Sequence, residues 1–127
     1  MATANSSFET GATSFSQTDW EIVTATTKTA VANGNYIANN AALVTVTLPA
    51  TATPGARVQV AGWGAGGWRI SQGAGQYIKF GSSVTTTGTG GYIASTVAMD
   101  TIDLICVVED DGWLVVGSVG NVDMEVD

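Results

Sequence analysis

Several groups in this chain have residue types and spacings that chemistry could use. Gly62-Trp63-Gly64-Ala65-Gly66-Gly67 fits the G-x-G-x-x-G dinucleotide pattern and follows a strand-like run, Arg57-Val58-Gln59-Val60. That pattern needs a helix next, because the helix N-terminus receives the pyrophosphate. Trp68-Arg69-Ile70 reads instead as a strand, and no acid follows until Asp100, too far for the ribose contact about 20 residues on. The glycines therefore read as a tight β connection where two backbones, or two subunits, approach closely. Glu109-Asp110-Asp111 clusters carboxylates of the kind calcium prefers, but without EF-hand spacing, and it reads as a solvated turn. Asp100 and Asp103 could form a glycosidase pair, as carboxylates in any β protein could. Cys106 lies mid-strand between Leu104 and Val108 and reads as an inert buried thiol, since there is no His to activate it. Asn5-Ser6-Ser7 has the N-glycosylation pattern, which carries little weight without a signal peptide.

The aromatic residues offer binding rather than catalysis. Trp63, Trp68, Tyr77 and Tyr92 sit near Gly- and Thr-rich loops. Exposed aromatics beside polar groups can stack on sugar rings or on a neighbouring subunit. Trp68 alternates with Ile70 and reads as core. Trp63, Tyr77 and Tyr92 stay open between glycan and subunit contact. Residues 1–19 are polar, with Phe8 and Phe15 as apolar anchors. They read either as a disordered terminus or as an extended arm that docks both phenylalanines on a neighbour. Ordering an arm costs about 1–2 kcal/mol per residue, so it would order only when bound.

Composition limits what these groups can do. The chain has 127 residues, 45% hydrophobic and only 12% charged, against about 25% charged in an ordinary domain. The absence of His excludes a Ser-His-Asp triad, a Cys-His pair and a His-ligated zinc site. One Cys excludes an internal disulfide framework and a multi-cysteine metal site. Four cations against eleven acids, a net charge of −7, argue against nucleic acid and against anionic membranes as partners. No apolar run approaches the ~20 residues of a membrane span. The N-terminus has neither the basic nor the apolar region of a signal peptide, so synthesis in a cytoplasm is expected. No cofactor is expected.

The elements that must position these residues are strands. Leu43 to Leu48 alternates Val44, Val46 and Leu48 against Thr45 and Thr47, and Arg57-Val58-Gln59-Val60 alternates again. Trp20–Thr24, Tyr36–Ala38, Trp68–Gln72 and Gln76–Phe80 are further strand candidates, with Tyr92–Ala94 and Val97–Met99 weaker ones. Ile102 to Val108 is the strongest apolar run. Ile102, Leu104, Cys106 and Val108 share one face, and Ile105 and Val107 on the other suggest burial on both sides. Glu109-Asp110-Asp111-Gly112 carries an Asp-Gly hairpin signal. The tail from Asn121 alternates Val122, Met124 and Val126 with Asp123, Glu125 and Asp127, as an edge strand does with its acids in solvent. No window has helical periodicity. The expectation is an arm over 1–19 and one all-β domain over 20–127, an antiparallel, jelly-roll-like β-sandwich or barrel.

One long stretch is more specific. It includes Tyr36-Ile37-Ala38-Asn39-Asn40, Leu43 to Ala50, Gly64-Ala65-Gly66-Gly67-Trp68-Arg69-Ile70, Gln72, Gly75-Gln76, Ile78 and Phe80-Gly81. It closes with Thr85-Thr86-Thr87-Gly88, Leu104 to Val108, Trp113 and Gly117 to Asn121. This resembles a small β domain of tailed-bacteriophage virion proteins: tail fibres, their tips, and capsid decoration or head-fibre proteins. The resemblance covers about residues 30–121, and Gly64 to Gly81 is its most diagnostic part. It implies a homotrimeric structural module on the virion exterior, without enzymatic activity, and it transfers no catalytic residues. Related domains are usually pieces of longer fibre chains, whereas this chain starts at Met1 without a shaft, which favours a small decoration protein on the capsid. Its expected partners are copies of itself and the major capsid protein or another virion protein. The alternative is a fibre tip that holds host glycan through Trp63, Tyr77 or Tyr92. A prophage-encoded adhesin subunit is a more distant reading. Three copies around an axis would also bury apolar surface that one charge-poor domain leaves over.

Overall fold

A computed structural model describes residues 19–125. The expected arm at 1–19, with Phe8 and Phe15, and the end of the tail at Val126 and Asp127 lie outside the described residues, apart from Asp19. The described residues form twelve strands, an all-β arrangement: β1 (Trp20–Val23), β2 (Thr27–Thr29), β3 (Gly34–Ala38), β4 (Val44–Thr47), β5 (Arg57–Gly62), β6 (Trp68–Ser71), β7 (Tyr77–Phe80), β8 (Ser83–Val84), β9 (Tyr92–Ser95), β10 (Thr101–Val108), β11 (Gly112–Val119) and β12 (Val122–Met124).

They build two sheets. One has seven strands in the order β1-β3-β5-β10-β11-β7-β8, and the other has five in the order β12-β9-β6-β4-β2. From β1 to β6 the chain switches sheet at every strand. Each return therefore lays a strand alongside the one two earlier, in the same direction. β1, β3 and β5 pair in parallel, and so do β2, β4 and β6. Residues 20–71 thus wind as three turns of a two-sided coil. The second half closes it with antiparallel strands: β10 between β5 and β11, and β9 between β6 and β12.

The sandwich expectation holds at this coarse level, and the antiparallel one is corrected: both sheets are mixed. Parallel strands normally need a long crossover. Here the crossover is itself a strand of the opposite sheet, so it leaves no helical signal in the sequence.

The core lies between the sheets. Val58 and Val60 of β5, Ile102 and Leu104 of β10, Ile78 of β7 and Trp113 of β11 come from the larger sheet. Val44 and Val46 of β4, Trp68 and Ile70 of β6 and Ile93 of β9 meet them from the smaller one. The alternation read in the sequence is what places these side chains on one face of each strand. β10 departs from its expectation. Ile102, Leu104 and Cys106 are buried, but Ile105 is half-buried and Val107 is 45% exposed. The strand is covered on one side only. A register shift between Cys106 and Val108 also turns Val108 out to 47% exposure, away from the face it was expected to share. Val97 and Met99 are exposed residues of the turn before β10, not of a strand.

Candidate functional site

The face of the seven-stranded sheet turned away from the other sheet is the candidate site. Strand register puts Ile22 beside Ile37, Ile37 beside Ala61, Ala61 beside Thr101, and Thr101 beside Val119. One cross-strand row therefore runs over five strands, a span of about 19 Å at ~4.8 Å per strand. Its outer members are the most open, Ile22 at 59% and Val119 at 69%. Trp63 follows β5 directly and is 64% exposed. It joins Ile22, Ile37, Asn39, Ala61 and Gly62 in lining a shallow, largely apolar groove of about 390 Å³. One rank further along the sheet, Asp103 is ion-paired with Arg57 of the rank beyond. The row itself contains no charged residue.

The glycine-rich connection shapes this groove. Gly62 has no side chain because the carbonyl of Ala98 occupies the position of its Cβ. Gly64 meets the backbone of Asn40, and Gly66 meets that of Ala42 and Leu43. The Trp63 and Gly64 amides both donate to the Ala38 carbonyl, and the Gly66 amide donates to Asn40 O. The expected close approach of backbones is present, and the strand β6 follows where a dinucleotide site needs a helix.

The other aromatic candidates are less free than Trp63. Tyr92 is half-buried, and the Arg69 guanidinium lies 4.2 Å from its ring centroid. That cation–π contact occupies a face a sugar would need. Tyr77 is half-buried, and its hydroxyl end lies across Gly112 where a Cβ would stand. Trp68 is core, and its indole N–H donates to the Asp100 carbonyl at 2.7 Å. Trp63, Tyr77 and Tyr92 do not converge on one site, and Phe8 and Phe15 lie outside the described residues.

The acids are likewise separated. Asp103 faces Arg57 on the outer sheet surface, while Asp100 is 1% exposed. The Asp100 carboxylate accepts the backbone N–H of Thr96 at 2.8 Å and of Val97 at 3.2 Å, and the Thr96 hydroxyl at 3.3 Å. Burial alone would raise its pKa. The N–H groups of Thr96 and Val97, the Thr96 hydroxyl and the Asn121 N–H outweigh that and hold it below the usual value. Asp100 is a fixed structural anion. Among the described residues no three metal-ligating side chains come together. In the acidic turn Glu109 and Asp111 are exposed, but half-buried Asp110 accepts the Ala52 N–H at 2.9 Å and has φ 65°. Burial pushes the Cys106 thiol up, and the charges of Asp110 and Glu109 add to this.

A feature that sequence reading missed lies in the connection between β6 and β7. Gln72 and Gln76 are buried, and together their side-chain amides clamp four loops. Gln72 Nε2 donates to the carbonyls of Gln76, Thr86 and Gly88 at 2.8–3.1 Å, and its Oε1 accepts the Thr85 hydroxyl. Gln76 Nε2 donates to Pro49 O and Asp110 O at 2.8 and 3.0 Å, and its Oε1 accepts the Gly73 N–H. The signal was available: two glutamines four apart, flanked by Gly73 and Gly75, in an apolar stretch.

No family model matches this chain, and no curated protein matches it.

Proposed function

We propose that this chain is a non-enzymatic structural subunit of a tailed-bacteriophage virion. In this reading it is a homotrimeric capsid decoration protein, a cement or head-fibre protein made in the host cytoplasm and seated on the particle exterior against the major capsid protein. The observation that carries the reading is the uncharged apolar row on the open face of the large sheet. A subunit working alone has no use for such a row, and a subunit that assembles does. The resemblance over residues 30–121 supports the virion setting. The glutamine clamp gives its most diagnostic segment a physical role, since four loops depend on it. Particles stripped of the protein should lose heat and osmotic resistance, and unchanged resistance would contradict the reading.

A second reading, a receptor-binding fibre tip, is favoured by one residue. Trp63 presents an indole at a groove rim, the geometry that stacks on a sugar ring. Tyr92 beneath Arg69 and Tyr77 across Gly112 add little to it. Under this reading Trp63→Ala abolishes adsorption to host cells and glycan-array binding. Adsorption that is independent of Trp63 counts against it.

A further inference from the structure

We propose that the outer face of the seven-stranded sheet, at the end marked by Ile22, Ile37, Ala61, Val119 and Trp63, is the surface by which one copy of this chain binds another. This rests on the self-assembling reading above and assigns the face that serves it.

Three observations select the occupant. The first is charge. Copies that each carry −7 repel, so contact between them costs least where their surfaces are uncharged. The apolar row crosses β10 at Thr101, whereas the acidic turn follows its other end at Val108. Seven residue steps at ~3.3 Å put these about 23 Å apart, well beyond the roughly 8 Å reach of charges in physiological salt. Asp123 belongs to β12 at the edge of the other sheet. Asp103 in the next rank of the same face is neutralised by Arg57 from the rank beyond it.

The second observation is that the open parallel edges are guarded. β1 and β2 end the two sheets on the same side of the molecule, an unfinished coil that could accept another strand. Glu21 of β1 and Lys28 of β2 close it with an ion pair at 3.0 Å across the two edges. Edge-to-edge growth would have to bury that pair, and face-to-face contact leaves it in water. The third observation is the opposite surface. The outer face of the five-stranded sheet carries Thr27, Thr45, Arg69, Ala94 and Asp123 in register, a rank with four polar members of which two are charged. A partner of different charge would be chosen by charges on its contact surface, and the apolar row provides none. It fits a second copy of the same chain.

The test is the mass of the full chain in solution, by light scattering and sedimentation. Wild type should run at about three times 12.9 kDa. Ile22→Lys and Trp63→Glu change side chains more than half exposed, so the core is untouched. Each should weaken association at least tenfold with an unchanged circular dichroism spectrum, and Thr27→Lys on the opposite face should leave it as in wild type. A measurement on wild type needs no variant. Acrylamide quenching of tryptophan emission should fall as the chain is concentrated through its association range, because solvent reaches Trp63. Assembled wild type with assembled face variants, or with constant quenching, overturns the assigned face and leaves self-assembly standing. Monomeric wild type at high micromolar concentration overturns both the face and the trimer.

Discussion

Asp100 and the two glutamines set the terms at the scale of the residue. A buried carboxylate survives only when donors converge on it, and here backbone N–H groups do so from a turn that Asp100 itself ends. The consequence can be measured. Its pKa is lowered by folding, so the stabilisation it provides is present above the ordinary value near 3.8 and is lost as the pH falls through the lowered folded value. Acid should therefore destabilise the fold below about pH 4. In Asp100→Asn, neutral-pH stability should drop by about 2 kcal/mol, because charge-assisted bonds are lost and an NH₂ is turned toward donors. The stability difference between Asn and Asp variants should narrow on acidification. A gap that stays constant from pH 7 to pH 3 in urea titrations would remove the charge from this account. At this scale the sequence reading placed Cys106 and Trp68 in the core correctly, because each sat in an alternating apolar run. It took Tyr77 and Tyr92 as candidate contacts. Tyr77 lies across Gly112, and Tyr92 lies under Arg69, one strand over in the sheet and 23 residues earlier in the chain; no local pattern announces either contact.

At the scale of the element, what was legible followed from alternation. β4, β5 and β10 were visible because their apolar residues recur at every second position. β2, Thr-Lys-Thr, was not, because it buries nothing apolar and exists through its pairing with β4. Strand direction was illegible for a related reason: parallel pairing of β1, β3 and β5 depends on the intervening strand crossing to the other sheet, which no turn residue encodes. The run Ile105-Cys106-Val107 suggested a doubly covered strand, yet among the described residues its outer side is bare: Ile105 is half-buried and Val107 exposed. The Gly62–Gly67 connection yields a prediction at this scale. Gly66→Ala must displace the backbone at Ala42 and Leu43, and it should cost about 3 kcal/mol in urea denaturation. Gly81 has φ +61° with open space around it, and its replacement by Ala should cost only about 1 kcal/mol. Equal costs would mean that left-handed backbone, not close approach, is what the glycines supply.

On the scale of the whole molecule, the two halves divide the work. The parallel coil from β1 to β6 ends in a charge-guarded edge, and the antiparallel strands β10 and β11 extend the open face. That division gives a body whose parallel edge is held by an ion pair and whose large sheet presents apolar residues on its outer face. Under the proposed self-assembly, such a body suits a closed, symmetric oligomer better than an open filament. The proposed self-assembly draws on the low charge of the chain: the contact row carries no charged residue, and the nearby acids Glu21 and Asp103 are each held by a cation.

The central claim is that this body reinforces a virion. Its most direct test is to strip the protein from particles, add the purified chain back, and measure the temperature at which the genome is released. The account predicts a lower release temperature after stripping and its recovery on add-back. Release at the same temperature in all three samples would contradict it.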